Sequence, residues 1–221
     1  MIPLELLTAQ TETGRFYGIY TGIITEVESP NNTEEGQKNL GRVKVKFPWL
    51  SDEDTSYWAR IVSPIAGNQR GLYFLPKVND EVLVAFEHGL IEFPCVMGSL
   101  WNSESIPPVF EDKDYKATDN QTTIKSASGH TIILNDTKDK EQIVIQAKTK
   151  DEKQANTIIF DCAKNSLTIS VTKDTSKKNQ IVMEPEKITL TQDKTTITIA
   201  KDEIAIEAKK VSVKCDAFEV K

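Results

Sequence analysis

The sequence predicts an all-β protein that combines two β architectures, a small barrel followed by a long array of short strands. Two observations support this prediction. Residues 17 to 110 contain stretches in which every second residue is apolar, and turn-forming residues separate these stretches. Residues 126 to 221 repeat a shorter alternating unit and contain only one glycine and one proline. Within each unit the apolar residues lie two apart and are mostly β-branched, which favours strands over helices.

The composition changes sharply near residue 110. Nine of the ten glycines, eight of the nine prolines and all three tryptophans precede it. The first 110 residues hold 8 Lys and Arg against 14 acids, while the remainder balances 19 Lys with 19 acids. We therefore expect an N-terminal segment at 1–16, a barrel at 17–110, a linker at 111–125 and the strand array at 126–221, with the whole net charge of −6 on the first part.

The first part predicts a barrel of the oligonucleotide/oligosaccharide-binding (OB) type. Five or six short strands fit into about 90 residues, within the stretches YGIYTGIITEV, LGRVKVKFPWL, YWARIVSPIAG, LYFLP and EVLVAFEH. Turn-rich segments separate them, as in antiparallel barrels. Pro48, Pro64, Pro76 and Pro94 fall at predicted strand ends, where a missing amide donor does least harm.

The second part predicts strands that one chain cannot bury. Each short unit offers two apolar side chains on one face, and the pairs return at steps of 9, 7, 7 and 7 residues towards the C-terminus. Unpaired edges along such an array invite pairing. We therefore expect identical chains to wrap around one another as an intertwined β-helix. The expected needle core consists of Ile188, Leu190, Ile197, Ile199, Ile204, Ile206, Val211 and Val213.

Composition also argues against several classes of function. A net charge of −6 disfavours nucleic-acid binding. Three widely spaced cysteines without a C-x-x-C pair, and only two histidines, disfavour a disulfide framework, a metal centre or imidazole catalysis. No apolar run is long enough to span a membrane, and the N-terminus lacks a secretory signal, so we expect cytosolic synthesis. We expect no cofactor and no enzymatic activity.

Three groups of polar residues could suggest sites. Residues 52–54 form an acidic cluster whose spacing does not match a calcium loop, which favours a solvated turn. Glu87 and His88 are neighbours on a predicted strand and should point to opposite faces, which argues against a joint acid–base role. Three arginines are expected to bridge neighbouring barrels: Arg42, Arg60 and Arg70.

Aromatic residues of the barrel allow two interpretations. Trp49, Trp58 and Trp101, with Tyr57 and Phe86, could stack against sugars or bases, as OB barrels often do. Packing in the barrel core or between subunits is favoured. A carbohydrate- or nucleic-acid-binding module with a β-helical stalk therefore stays open as the alternative function, and a cryptic hydrolase as a third.

Three stretches carry a resemblance to a known family. GRVKVKFPWL (41–50), SYWARIVSPIAGNQRGLYFLPKVNDEVLVAFEHG (56–89) and MGSLWN (97–102), followed by Pro107 and Pro108, resemble the central spikes of contractile tails. That family includes phage baseplate spikes, VgrG spikes of type VI secretion and spikes of extracellular injection systems. SASGHTIILND (126–136) resembles the entry into the family's β-helix. The KVNDEV loop has Asn79 where the family often has glycine, a change that the left-handed backbone tolerates.

The resemblance implies an OB collar, a trimeric β-helical needle and a structural role beneath the tail tube, where sheath contraction drives the spike into a target envelope. About 16 residues precede the barrel, so the resemblance implies a separate hub protein above it, which residues 1–16 are expected to contact. Residues 103–125 leave no room for a lysozyme domain. No histidine follows His130, so a PAAR-repeat-like tip protein is expected to contact Phe218, Val220 and Lys221.

Replacement of Ile199 by Asp tests the packing of the expected needle. In a trimer the substitution would bury three like charges around one axis, which is a severe cost. We expect a clearly lower melting temperature for the assembled protein. An unaltered melting temperature would contradict the packing.

Overall fold

The computed structural model describes residues 14–28, 40–50, 55–108, 120–148, 155–174 and 177–212. The chain divides into two compact units, residues 1–107 and 108–221. Strands dominate both, and the described residues include only one short 3₁₀ helix, Glu87–Gly89. The all-β prediction is confirmed.

The described residues of the first unit form seven strands. They are β1 (Ile19–Val27), β2 (Val43–Lys46), β3 (Arg60–Ile61), β4 (Ala66–Gly67), β5 (Arg70–Gly71), β6 (Glu81–Phe86) and β7 (Pro94–Ser99). Five of them form one curled sheet in the order β2-β1-β6-β7-β3, while β4 and β5 form a separate hairpin. An antiparallel bridge between Val43 and Ala59 connects the β2 side of the sheet to the chain segment that leads into β3.

Alternation within these strands builds the barrel core. Ile24, Val43, Val45, Val82 and Val84 are fully buried, and the residues between them face outwards. Pro94 begins β7, as expected for a residue without an amide donor. The LYFLP stretch is not a strand, because regular pairing stops at Gly71 and Leu72–Phe74 are exposed. That element of the prediction is wrong.

The segment before β1 differs from the expected hub-contacting segment in one respect. Phe16 donates its backbone N–H to the carbonyl of Gly89 at 2.7 Å and packs against the barrel core. This residue therefore belongs to the barrel, whereas residues 1–13 lie outside the described part of the chain.

Two left-handed residues shape the loops of the barrel. Asn79 has φ 76°, which confirms that it occupies a left-handed position, and its N–H donates to Ile24 O at 2.9 Å. His88 has φ 54° and lies in the 3₁₀ helix rather than on a strand. The expected strand placement of Glu87 and His88 is therefore wrong, because the chain turns directly after Phe86. The acidic cluster at 52–54 lies outside the described residues.

The second unit is a meander in which each strand pairs with the next. Where the structure describes this unit, nine strands are present: β8 (Gln121–Lys125), β9 (Thr131–Asn135), β10 (Gln142–Lys148), β11 (Ala155–Asp161), β12 (Ser166–Asp174), β13 (Lys177–Glu184), β14 (Lys187–Gln192), β15 (Thr195–Ala200) and β16 (Glu203–Glu207). β8 falls within the expected linker, so the linker ends before Gln121. Val211 and Ser212 follow without strand structure.

An ion pair joins the two ends of segment 29–39. The Nη2 atom of Arg42 lies 2.8 Å from Oε1 of Glu28, and Oε2 of Glu28 accepts the backbone N–H groups of Leu40 and Arg42 at 3.0 Å each. The pKa of Glu28 is lowered to about 2, mainly by the hydrogen bond from the Arg42 side chain. Partial burial of the carboxylate raises this pKa, and the two backbone donors lower it further. The pair lies within one barrel.

Gly22 tests the packing between β1 and β2. A Cβ atom there would lie 2.3 Å from Cγ1 of Val45 and 3.0 Å from the carbonyl of Lys46. We expect Gly22→Ala to lower the free energy of unfolding by about 1–3 kcal/mol in urea denaturation, as overpacking does. Gly98→Ala is the matched control, since nothing lies within 4 Å of its Cβ position. Equal stability of the two variants would contradict this packing.

The Glu28–Arg42 pair predicts a pH dependence of stability. Because the folded-state pKa, about 2, lies below the ordinary value of 4.5, the pair stabilises the fold fully above pH 4.5 and loses this contribution as the pH falls towards 2. Urea denaturation across this range should show a shallower pH dependence for Glu28→Gln than for the native chain. Glu26→Gln, which removes the exposed pair with Lys44, should keep the native slope.

Candidate functional site

One face of the nine-stranded sheet carries two continuous rows of apolar side chains. Cross-strand pairing aligns them without a break from β8 to β16. The first row is Thr122, Leu134, Ile143, Phe160, Leu167, Met183, Ile188, Ile199 and Ile204. The second row is Ile124, Ile132, Ile145, Ile158, Ile169, Ile181, Leu190, Ile197 and Ile206. Thr122 ends the first row on the edge strand β8, and every other position of the two rows is apolar. We call this surface the apolar face.

The apolar face is largely open to solvent in the single chain. Leu190 and Ile199 are 37% and 41% exposed, and Ile204 on the edge strand is 70% exposed. The opposite face is different, since Ile133 and Val144 are 1% and 6% exposed and its later strands carry mainly Thr, Ser and Gln. A continuous exposed surface of this kind marks an interaction site.

The expected needle residues fall on this face as far as the structure describes them. Ile188, Leu190, Ile197, Ile199, Ile204 and Ile206 occupy neighbouring positions of the two rows. Val211 lies beyond β16 and is exposed. Val213, Phe218, Val220 and Lys221 lie outside the described residues. The assignment of these residues to a core stays a prediction.

Aromatic rings of the barrel form one cluster at the edge of its core. Tyr20 and Trp49 stack with their centroids 4.8 Å apart, and Phe16 and Phe47 pack on Trp49 at 5.9 and 5.8 Å. Phe86 contacts Phe16, Tyr20 and Phe47 at 5.5 to 5.7 Å. Trp49 Nε1 also donates to the carbonyl of Thr21 at 3.2 Å. One face of Trp49 is therefore occupied by Tyr20 although the residue is 44% exposed.

The other tryptophans do not join this cluster. Trp58 is half-buried, and the ammonium of Lys44 lies 5.0 Å from its ring centroid. Trp101 is 64% exposed, so it is not a core residue of the single barrel. The structure therefore does not bring the three tryptophans together as a stacking platform.

Two of the three arginines bind an acid of their own barrel. Arg42 binds Glu28 and Arg60 binds Glu87, both within the same barrel. Arg70 makes no ion pair among the described residues. The fold already gives Arg42 and Arg60 an acidic partner within their own barrel, and the expected bridges between barrels stay a prediction.

The part of the chain that the structure describes holds no group of three or more His, Cys, Asp or Glu side chains placed to bind a metal ion. No helix there is long and apolar enough to cross a membrane. The candidate site is the apolar face of the nine-stranded sheet, whose large side chains remain partly exposed.

Comparison with known families identifies the barrel. Residues 20–101 match the family model described as the type VI secretion system/phage-baseplate injector OB domain. This match confirms the OB prediction and coincides with the five-stranded sheet and its hairpin.

Curated relatives agree with the family model. The chain is 30% identical over 131 residues to type VI secretion system spike protein VgrG3 of Vibrio cholerae, with 57% of this chain and 13% of that protein covered. It is 31% identical over 136 residues to spike protein VgrG1c of Pseudomonas aeruginosa, with 57% and 18% covered. Actin cross-linking toxin VgrG1 of Vibrio cholerae is 29% identical, with 12% of its length covered.

The chain thus spans less than a quarter of the length of these relatives. The matched share of this chain, 57%, exceeds the OB domain alone and reaches beyond it. Over its OB domain, the chain is similar to the VgrG spike proteins of type VI secretion systems and to phage-baseplate injectors.

Proposed function

We propose that this protein is a homotrimeric central spike of a contractile injection system, with the barrel as collar and the second unit as needle. The observation that carries the proposal is the pair of rows that are both apolar from β9 to β16. The match of residues 20–101 to the injector OB domain supports this role, because spikes that carry this domain assemble with other proteins.

Wrapping of three copies would cover the apolar face. A flat sheet with one exposed apolar face is costly in water, at roughly 25 cal/mol for each Å² of apolar surface left unburied. Three such faces turned towards one axis exclude water together, while the Thr, Ser and Lys side chains stay outside. The same wrapping would protect the edge strands β8 and β16, which lack a second neighbour in the nine-stranded sheet.

The mechanical role follows from this arrangement. A needle driven by a contracting sheath must carry axial load without unfolding. Hydrogen-bonded strands around a continuous aliphatic core resist such a load, since separation of the chains would expose the whole core at once. The energy comes from the sheath, so the spike needs stiffness and no catalytic group. We propose a non-enzymatic, membrane-puncturing function.

The proposed pathway begins with synthesis in the cytoplasm, continues with assembly into the baseplate, and ends with delivery to the target envelope on contraction. A hub protein above the barrel and a PAAR-repeat-like tip protein below the needle are the proposed neighbours, on the resemblance to contractile-tail spikes. No role in nucleic-acid binding is proposed, because the acid excess of the barrel repels phosphate.

Absolute mass by light scattering tests the assembly. We expect three times the chain mass of 24.8 kDa. Leu190→Asp, on the apolar face, should abolish the trimer, because an unpaired carboxylate would enter the proposed core. Thr189→Asp is the matched control on the opposite face of the same strand and should keep the trimer. A native chain that runs at a single chain mass would overturn the proposal.

A further inference from the structure

A second exposed apolar surface lies on the barrel unit, at residues 62–75, which we call the arm. It contains the β4–β5 hairpin, which is not part of the five-stranded sheet. Its large side chains are exposed, with Tyr73 and Phe74 at 70% and 64%. The remaining exposed apolar side chains of the arm are Val62, Ile65 and Leu72. Together with Leu40, Gly41 and Ile61, the arm lines a groove of about 480 Å³.

Hydrogen bonds and a close backbone approach hold the arm in a defined conformation. The N–H of Leu72 donates to Ile65 O at 3.1 Å, and the Ser63 hydroxyl lies 2.7 Å from the carbonyl oxygen of Leu72. Gly71 has φ 141°, and a Cβ atom there would lie 2.3 Å from Ile65 O, so only glycine allows this close approach. The apolar side chains are therefore presented by a defined hairpin, which lowers the entropy cost of docking.

The arm and its flanks are basic on an otherwise acidic unit. Residues 55–79 contain Arg60, Arg70 and Lys77 and no acid, whereas the other residues up to 110 contain 14 acids and 5 Lys and Arg. Arg60 is engaged by Glu87, while Arg70 is exposed without an ion pair among the described residues. The charge of the arm thus complements the remainder of the same unit.

The barrel also carries an apolar outer surface, which we call the outer face. Cross-strand pairing aligns Ile19 with Ala85, and Ala85 with Cys95. These residues alternate with the buried core residues Val84 and Val96 and so point away from the core. Leu83 and Met97 extend the outer face along β6 and β7. Glu81 lies on the same side of β6, and Arg60 pairs opposite Cys95 but is bound by Glu87. Glu92 is exposed in the loop before β7 and adds a further acid close to this face in sequence.

The arm does not cover the outer face of its own barrel. The Tyr73 ring lies 2.9 Å from the Cβ position of Gly41, which places the arm beside the start of β2. On the outer face Ile19 remains 60% exposed. One unit therefore presents two different apolar surfaces of complementary charge. When two different surfaces of one subunit bind each other between copies, the contact is head-to-tail. Such contacts close into a ring when the rotation between neighbouring copies returns to the first copy.

We infer that the arm of one chain docks on the outer face of the barrel of a second copy, and that three such contacts tie the barrels into a closed collar. The inference rests on the proposed trimer, since the shared needle raises the effective concentration of the barrels for one another. Apolar contact from Tyr73 and Phe74 supplies the affinity, and Arg70 opposite the acidic barrel fixes the orientation. The collar would keep the three barrels together while the needle carries the load.

The native thiol of Cys95 reports on this contact because it lies on the outer face. The experiment uses the full chain with Cys162→Ser and Cys215→Ser, and measures the alkylation rate of Cys95 by iodoacetamide together with the absolute mass. In the trimer, Tyr73→Ser combined with Phe74→Ser should raise the alkylation rate of Cys95 by about tenfold or more. The reason is that the docked arm shields the thiol, so the rate rises as the fraction of docked arms falls. The mass should remain that of three chains.

Tyr57→Ser is the matched control, because Tyr57 is also an exposed aromatic residue but lies outside the arm. It should leave the Cys95 rate unchanged. Arg70→Glu should also raise the rate, and an unchanged rate in that variant would overturn the electrostatic part of the contact.

The two proposals fail in different ways. A trimer whose Cys95 reacts equally fast with and without the arm substitutions would overturn the docking and leave the needle intact. A native chain of single mass would overturn the needle and, with it, the collar. Since Tyr73 and Phe74 are exposed, their replacement removes no core contact of the barrel.

Discussion

Strand register is the constraint on which the second unit depends. Each hairpin from β8 to β16 places the same set of positions opposite one another, so that Ile188 meets Ile199 and Ile199 meets Ile204. Because side chains alternate between faces, a slip of one residue in any hairpin would move its apolar pair to the opposite face and interrupt both rows. The regular spacing of the repeat and the tight turns maintain this register. The continuous apolar face, and every proposal built on it, follows from that regularity.

The two units differ in how far they bury their own apolar side chains. The barrel closes on itself, and Ile24, Val82 and Val84 are removed from water by their own chain. The meander is one layer thick, and most of its large side chains remain partly exposed, with Leu190 at 37%. The turns of the barrel unit are rich in glycine and proline, whereas the turns of the meander place Asp139, Asn165 and Asp193 in the left-handed region and use one left-handed glycine, Gly129. The composition change near residue 110 reflects this difference.

Not every element could be predicted from local sequence. The LYFLP stretch has the composition of a strand, but its side chains find no partner strand after Gly71 and instead form the exposed end of the arm. Arg42 and Arg60 looked like candidates for contacts between barrels, yet Glu28 and Glu87 lie beside them within the fold. The outer face was also missed. The apolar residues between the core positions of β6, Leu83 and Ala85, were the signal that could have revealed it.

The sequence by itself determined the division into two units, the all-β class, the OB barrel and the residues that share the apolar face. These features follow from local periods and composition, which a single chain carries along its length. Only the tertiary structure decided which acid binds each arginine, that Phe16 joins the barrel core, and that the arm stands apart from the sheet. These outcomes depend on contacts between residues far apart in the chain, and local sequence patterns do not specify which distant segments meet.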